Sequence, residues 1–223
     1  MAKRLRHHVN PLKGAFVRPN AAAVPLPASG EVEVELGCAD AQFLFARAAA
    51  EPALICIGVE IRREMVEEVN RRALASGLGN LRAVFANINV DLPALFPAGR
   101  LARVFINFPD PWFKRRHHKR RVMTPEVARV LAEQLSPGGI LFFQSDVFDL
   151  ALEAMVVLEE VGETLGLRNQ AGPWSFIRDN PWNAKSLREV RCEERGMRIW
   201  RLLYRREPAP ATPRSGPVPG PLC

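Results

Sequence analysis

Short apolar runs alternate with helix-forming segments along most of the 223 residues, and this alternation constrains the fold more than any other feature. Residues 31–36 (EVEVEL) alternate acidic and apolar side chains and then meet Gly37, the pattern of a strand entering a tight loop. A helix is expected over about 40–50. Residues 54–60 (LICIGVE) are almost wholly apolar, as in a strand covered on both faces. An Arg- and Glu-rich helix follows over about 62–76, stopped near Gly77 and Gly79. Further strands fit residues 80–86 and 102–108 (ARVFINF). Thr124-Pro125-Glu126 opens another helix with an N-cap and a proline at its first position, and that helix ends before Pro137-Gly138-Gly139. A strand over 140–145 (ILFFQS) and a helix over about 147–161 complete the regular part. Such alternation predicts an α/β fold with a doubly wound, mostly parallel, Rossmann-like sheet and helices on both faces. Ligands in these folds sit at the carboxyl ends of the strands, where the strand order reverses.

One domain accounts for the length. With 48% apolar and 25% charged residues the chain can bury a core without disulfides or metal. Residues 173–183 form a loop bearing Trp and Pro, and 197–206 (MRIWRLLYRR) read as a last strand. Six of the seventeen residues over 207–223 are proline with no apolar period, so a disordered tail is expected there. The domain is therefore assigned to 31–206, behind a basic arm over 1–30. Cys38, Cys56, Cys192 and Cys223 fall at no zinc-site or CxxC spacing and read as reduced thiols of a cytoplasmic protein. No apolar run approaches the roughly 18 residues of a membrane span, and no signal-peptide core forms near the N-terminus. Nothing in the sequence fixes the oligomeric state.

The chain carries 31 Lys and Arg against 24 Asp and Glu, a net +7, and the distribution of that excess matters more than its size. Residues 1–30 hold five basic side chains (Lys3, Arg4, Arg6, Lys13, Arg18) and no acid. Residues 114–121 hold six (Lys114, Arg115, Arg116, Lys119, Arg120, Arg121), again with no acid. The remainder is mildly acidic, so two basic appendages read as a device for binding a polyanion such as nucleic acid. His117 and His118 lie in the second run, but with no third ligand nearby no metal site is expected.

Three features follow the first three strands in order: Gly37 in GCADA, Glu60 closing the second strand and Asn87 just past the third. A small-residue loop lets backbone approach a ligand, and an acid about 20 residues on can accept hydrogen bonds from both ribose hydroxyls. A dinucleotide loop wants Gly or Ala at the sixth position of G-x-G-x-x-G, where this chain has Gln42. Gly37, Ala39 and Ala41 instead resemble the G-x-G-x-G loop that binds S-adenosylmethionine, with two glycines replaced by alanine. If either position needs φ > 0 the alanine costs about 1–2 kcal/mol; if it needs only smallness little is lost. The bland alternatives are an ordinary strand-to-helix turn, a helix-capping Glu60 and a turn-forming Asn87.

The stretch 107–121, NFPDPWFKRRHHKRR, is the most specific in the chain. Asp110 is flanked by two prolines at a strand end, which presets its backbone and holds its carboxylate at the cleft mouth. The Pro-Asp-Pro-Trp element with its following lysine and basic, His-containing run resembles the bacterial tRNA (guanine-N7-)-methyltransferase family. Glu35-Leu36-Gly37-Cys38, Gly58-Val59-Glu60, Pro137-Gly138-Gly139 and Ser145-Asp146 extend the likeness, as does Ser186-Leu187-Arg188-Glu189, where the family usually has Thr-x-x-Glu. The resemblance covers about residues 31–205.

It implies transfer of a methyl group from S-adenosylmethionine to N7 of the guanosine at position 46 in the tRNA variable loop. Asp110 would be catalytic, lying beside the methyl donor and accepting hydrogen bonds from the guanine Watson–Crick edge. Lys114, with Arg116, Lys119, Arg120 and Arg121, would grip phosphates. Asp146, Ser186 and Glu189 would contact the target nucleoside, Glu35 the methionyl end of the cofactor and Asn87 its adenine, where the family usually has Asp. Trp112 is expected in the core more than on a base. The alternatives are another RNA methyltransferase on the same fold and a tRNA-binding module with a degenerate cofactor loop.

Overall fold

Val32, Val34 and Leu36 turn one way and Glu33 and Glu35 the other along the first strand, β1 (Val32–Leu36), and all five are buried. Two of the three acids of EVEVEL, Glu33 and Glu35, are therefore covered while Glu31 before the strand stays exposed, although apolar–polar alternation is the usual mark of a strand with one wet face. The computed structural model that shows this describes residues 10–12 and 21–208. The basic side chains of the N-terminal arm and nearly all of the Pro-rich tail lie outside the described residues.

Glu33 is tolerated in the interior because it is paired. It accepts two hydrogen bonds from Arg47 of helix α1 (Gln42–Ala50), at 2.9 and 2.7 Å, and one at 2.7 Å from Arg103 on the neighbouring strand. The Trp182 ring lies 5.6 and 5.7 Å from those two guanidinium groups.

The remaining elements are β2 (Ile55–Glu60), α2 (Arg63–Ala75), β3 (Leu81–Phe85), α3 (Ile88–Leu95), β4 (Leu101–Asn107), α4 (Pro125–Gln134), β5 (Leu135–Ser145), α5 (Phe148–Leu165), β6 (Leu167–Asn169), α6 (Leu187–Glu194) and β7 (Trp200–Arg206). They build one seven-stranded sheet of order β3-β2-β1-β4-β5-β7-β6. The contacts from β3 through β5 are parallel, while β7 runs antiparallel to both β5 and β6. The order reverses between β1 and β4, which places the ligand crevice at their carboxyl ends. Residues of α3, α4 and α5 pack one face of the sheet, and residues of α1 and α2, with Trp182, pack the other.

Local chemistry explains where the elements differ from the sequence pattern. Pro137-Gly138-Gly139 lies within β5 instead of preceding it. The register steps from Leu101↔Leu135 to Arg103↔Ile140, so the Pro-Gly-Gly segment is a bulge. A Cβ on Gly139 would sit 2.8 Å from the Ser136 carbonyl oxygen and 3.0 Å from that of Leu101, so only glycine fits. Helices α3 and α6 and strand β6 have no clear sequence signal: α3 contains Pro93, α6 buries only Glu189 and Cys192, and β6 is three residues long.

Backbone strain marks the switch point. Among the described residues five non-glycine residues have positive φ, and four of them lie in the loops leaving β1 and β4: Ala39 (49°), Ala41 (54°), Phe108 (49°) and Trp112 (46°). The first loop is fixed by Gly37 and Cys38 N–H groups donating to the Val59 carbonyl, and by Ala41 N–H donating to that of Cys38. The alanines therefore do hold the left-handed conformations that glycine adopts without penalty. Ala39→Gly should relieve about 1–2 kcal/mol of strain against about 0.4–1 kcal/mol of added unfolded-state entropy, a net gain near 1 kcal/mol in urea denaturation. Ala41→Gly should be close to neutral, because its methyl group is fully buried and its loss costs about 0.8 kcal/mol more.

Candidate functional site

The carboxyl ends of β1, β2 and β4 bring Glu35, Glu60 and Asp110 into one electrostatic neighbourhood. Glu60 is buried, and its two oxygens accept from the backbone N–H groups of Ala39 (3.0 Å) and Arg62 (2.9 Å) and from the Arg62 guanidinium at 2.9 and 3.0 Å. One carboxylate thus ties the β1 loop to the end of β2. Its contact with Glu35 is electrostatic, as is that of Asp110 with Arg62. Arg62 carries no motif signal; its role appears only through Glu60. Gly58 faces Glu35 in register, and a Cβ there would collide with Cys38 Sγ, so this glycine lets the loop close.

Glu35 is 3% exposed. Asn107 Nδ2 donates to its Oε1 at 2.7 Å, while Oε2 is buried without a hydrogen-bond partner among the described residues. Burial pushes its carboxyl group up to about 8; the Asn107 hydrogen bond lowers it, and the nearby Asp40 and Glu60 charges raise it further. An orphaned acceptor at a strand end beside a small-residue loop is suited to a cationic group of a ligand.

From Glu35 a chain of buried and half-buried polar side chains crosses the sheet. Asn107 Oδ1 accepts from Gln144 Nε2 at 2.9 Å, and that same nitrogen donates to Glu189 Oε2 at 3.0 Å. Gln144 Oε1 accepts from Arg201 Nε at 3.1 Å, and Arg201 Nη2 closes on Glu189 Oε1 at 2.9 Å. Asn180 Nδ2 donates to both Glu189 oxygens at 3.0 Å. Gln144 and Glu189 are fully buried. The nucleoside-contacting role expected of Glu189 therefore meets a carboxylate already engaged with Arg201, Gln144 and Asn180.

Ser186 caps α6, its Oγ accepting from Glu189 N–H at 3.2 Å, which leaves the hydroxyl proton able to donate elsewhere. Asp146, past the end of β5, is paired with Arg188 of α6, so the Asp146 and Ser186–Glu189 elements lie together. Asn87 caps α3: its Oδ1 accepts from Asn89 N–H at 3.1 Å and its Nδ2 donates to the Pro11 carbonyl at 2.8 Å.

The basic run divides into two environments. Residues Arg115–Arg120 form a 3-10 helix, with Lys114, Arg116 and Lys119 exposed. Arg120 lies over the Trp112 ring at 4.9 Å, and His117 meets the same ring edge-on at 5.8 Å. Partial desolvation and the Arg120, Arg116 and Lys114 cations hold the His117 imidazole below its usual range. Arg121, expected to grip phosphate, is 7% exposed; it donates to the Pro111 carbonyl at 2.8 Å and pairs with Glu153 of α5. It anchors the loop that carries Asp110, because a buried guanidinium is too costly to leave without such partners. Among the described residues no group of three or more His, Cys, Asp or Glu stands ready to hold a metal, and no helix is long and apolar enough to cross a membrane.

A family model described as "Putative methyltransferase" matches residues 29–202. The tRNA (guanine-N(7)-)-methyltransferase of Parasynechococcus marenigrum (strain WH8102) is 40% identical over 218 residues, covering 92% of this chain and 89% of that protein. The antibiotic-resistance methyltransferase Kmr has a similar fold, with a TM-score of 0.54 at 19% identity over 85% of this chain and 98% of that one. So has geranyl diphosphate C-methyltransferase from Streptomyces coelicolor A3(2), solved with S-adenosyl-L-homocysteine, with a TM-score of 0.52 at 12% identity over 79% of this chain and 73% of that one.

The raised Glu35 carboxyl makes a prediction that needs no ligand. Between its ordinary value of 4.5 and about 8 the folded protein keeps a proton that the unfolded chain has released. The group's contribution to stability is therefore full below the unfolded value and lost as pH rises through the folded one. Glu35→Gln keeps the Oε1 acceptor for Asn107 and removes the titration. Urea midpoints should fall from about pH 5 to about pH 8 in the wild type and fall less in this variant. Equal slopes would exclude Glu35 as the source.

Proposed function

The chain belongs to the tRNA (guanine-N(7)-)-methyltransferase family, and on that premise we propose that it methylates N7 of the guanosine at position 46 of the tRNA variable loop. It is an S-adenosylmethionine-dependent methyltransferase acting on tRNA guanosine. The observation that carries the finer reading is the Pro-flanked Asp110 at the switch point, beside the Glu60–Arg62 pair and followed directly by exposed Lys114, Arg116 and Lys119. A methyl acceptor and the phosphates that flank it would be met by one continuous loop.

The residues present fit the cofactor. Glu35, whose Oε2 has no partner among the described residues, would give up its proton and meet the cofactor's ammonium group as a carboxylate, and Gly37, Ala39 and Ala41 form a loop with no bulky side chain. Glu60 would take the ribose, exchanging part of its bond to Arg62, and Asn87 would meet the adenine. When bound, S-adenosylmethionine supplies an electrophilic methyl group on a sulfonium. Guanine N7 already carries a free lone pair at neutral pH, so no base has to remove a proton first. The work of the protein is alignment, and fixing the reacting atoms about 3–3.5 Å apart supplies much of the rate. Asp110 would accept from the guanine Watson–Crick edge, with Asp146 and Ser186 completing the nucleoside site. Glu189 would act mainly by holding α6 in place. The protein would work where its substrate is, in the cytoplasm.

The left-handed conformations of Ala39 and Ala41 speak against a degenerate loop, since the backbone that glycines would give is kept despite its cost. Incubation with unmodified tRNA and S-adenosylmethionine, followed by borohydride and aniline cleavage, should cut the variable loop at the new 7-methylguanosine. Cleavage elsewhere or none would overturn the assignment. Asp110→Ala should keep its circular dichroism and lose methyl transfer; turnover near wild type would remove Asp110 from the site. Raising salt should weaken tRNA binding steeply while leaving cofactor affinity nearly constant, because only the former releases condensed counterions.

A further inference from the structure

An aromatic cluster outside these residues lies on the same rim of the sheet. Phe148, the first residue of α5, follows Asp146 by two positions and is 43% exposed. Its ring centroid is 4.5 Å from that of Trp200, which pairs in register with Ser145 at the end of β5. Phe176 is brought alongside by the Ile177↔Arg201 bridge, 5.1 Å from Trp200 and 6.4 Å from Phe148. Arg198 lies over Trp200 at 3.8 Å, with Met197 beside it 38% exposed.

Single exposed apolar residues are ordinary. Three rings in mutual contact, one of them widely exposed and one covered by a guanidinium, at the carboxyl edge that binds substrate, are a different arrangement. We propose that Phe148, Phe176, Trp200 and Arg198 form a stacking platform for an unpaired nucleobase of the RNA, next to the target guanosine. The proposal rests on the tRNA-methylating reading given above. Nucleobases of single-stranded loops are recognised through stacking on aromatic rings and guanidinium planes. The acids that flank Phe148 in the chain fit a base better than a phosphate: Asp146 is paired with Arg188, while Asp149 is exposed. The platform is continuous with the Asp146–Arg188 element, so a base stacked there would hold the strand as the guanosine enters the cleft.

Phe148→Ala is the informative change, since the side chain is exposed enough for the fold to survive. It should raise the dissociation constant and KM for unmodified tRNA on the order of ten-fold, with cofactor affinity and thermal unfolding unchanged. Phe148→Tyr should restore binding, whereas Phe148→Leu, apolar but unable to stack, should not. The loss should persist at high salt, unlike that from replacing Lys114. Wild-type tRNA affinity in both the Ala and Leu variants would overturn the platform, as would an unchanged RNA affinity accompanied by altered self-association in sedimentation. If the wild-type protein fails to methylate tRNA in the same assay, the functional reading falls and the platform with it; wild-type methylation with indifferent variants sinks the platform alone.

Discussion

A file of polar side chains, Glu35–Asn107–Gln144–Glu189–Arg201, all buried except the half-buried Asn107, crosses the middle of the sheet, and the geometry on both sides of the cleft depends on it. Each member is short of alternatives. Both Gln144 Nε2 hydrogens and its Oε1 are committed, which fixes the amide's orientation and, through it, those of Asn107 and Glu189. A buried carboxylate without its guanidinium would be strongly destabilising, so Arg201 and Glu189 hold β7 and α6 to β5. The same file ends at Glu35, whose second oxygen stays unmet among the described residues. A network that is saturated at one end and open at the other is rigid where its members hold one another and keeps an unmet polar atom at its far end.

Strain is the second organising element. The loops leaving β1 and β4 flank the strand-order reversal and hold four left-handed non-glycine residues, two of them large aromatics. Phe108 is held by its N–H donating to the Gln144 carbonyl, and the loop beyond it by Arg121 bonding the Pro111 carbonyl. Strained conformations of this kind persist only where surrounding contacts over-determine them, and they concentrate at functional sites. In this protein the surrounding contacts are a guanidinium buried against α5 and a sheet register that any slip would destroy.

Much of the fold was legible because β1 to β5 and α2, α4 and α5 have strong periods or caps. Thr124 and Pro125 signalled α4, and Thr124 Oγ1 does accept from Val127 N–H. The short α6 was not legible, since its sequence LREVRCEE is polar on nearly every face and its buried Glu189 is satisfied by residues from β5, β7 and the loop before the helix. Asp110 stood out by its flanking prolines and its likeness to a family motif, and the basic run by its density of charge. Arg62, Arg188, Gln144 and Arg201 did not, because a partner-holding residue has no pattern of its own until its partner's position is known. Arg121 looked like its cationic neighbours, yet its location turned it from a phosphate ligand into a loop anchor.

The sequence by itself determined the alternation of strand and helix, the small-residue loop after β1, the Pro-flanked Asp110 and the clustering of positive charge. These are local: they follow from side-chain period, proline geometry and charge along the chain. Only the tertiary structure decided that Ala39 and Ala41 are left-handed, that Glu33 is buried on Arg47 and Arg103, and that both Glu189 oxygens are engaged within the interior while Glu35 Oε2 has no partner among the described residues. The reason is physical. The cost of a charge or a strained dihedral is set by its dielectric surroundings and its partners, and these come from residues far apart in the chain.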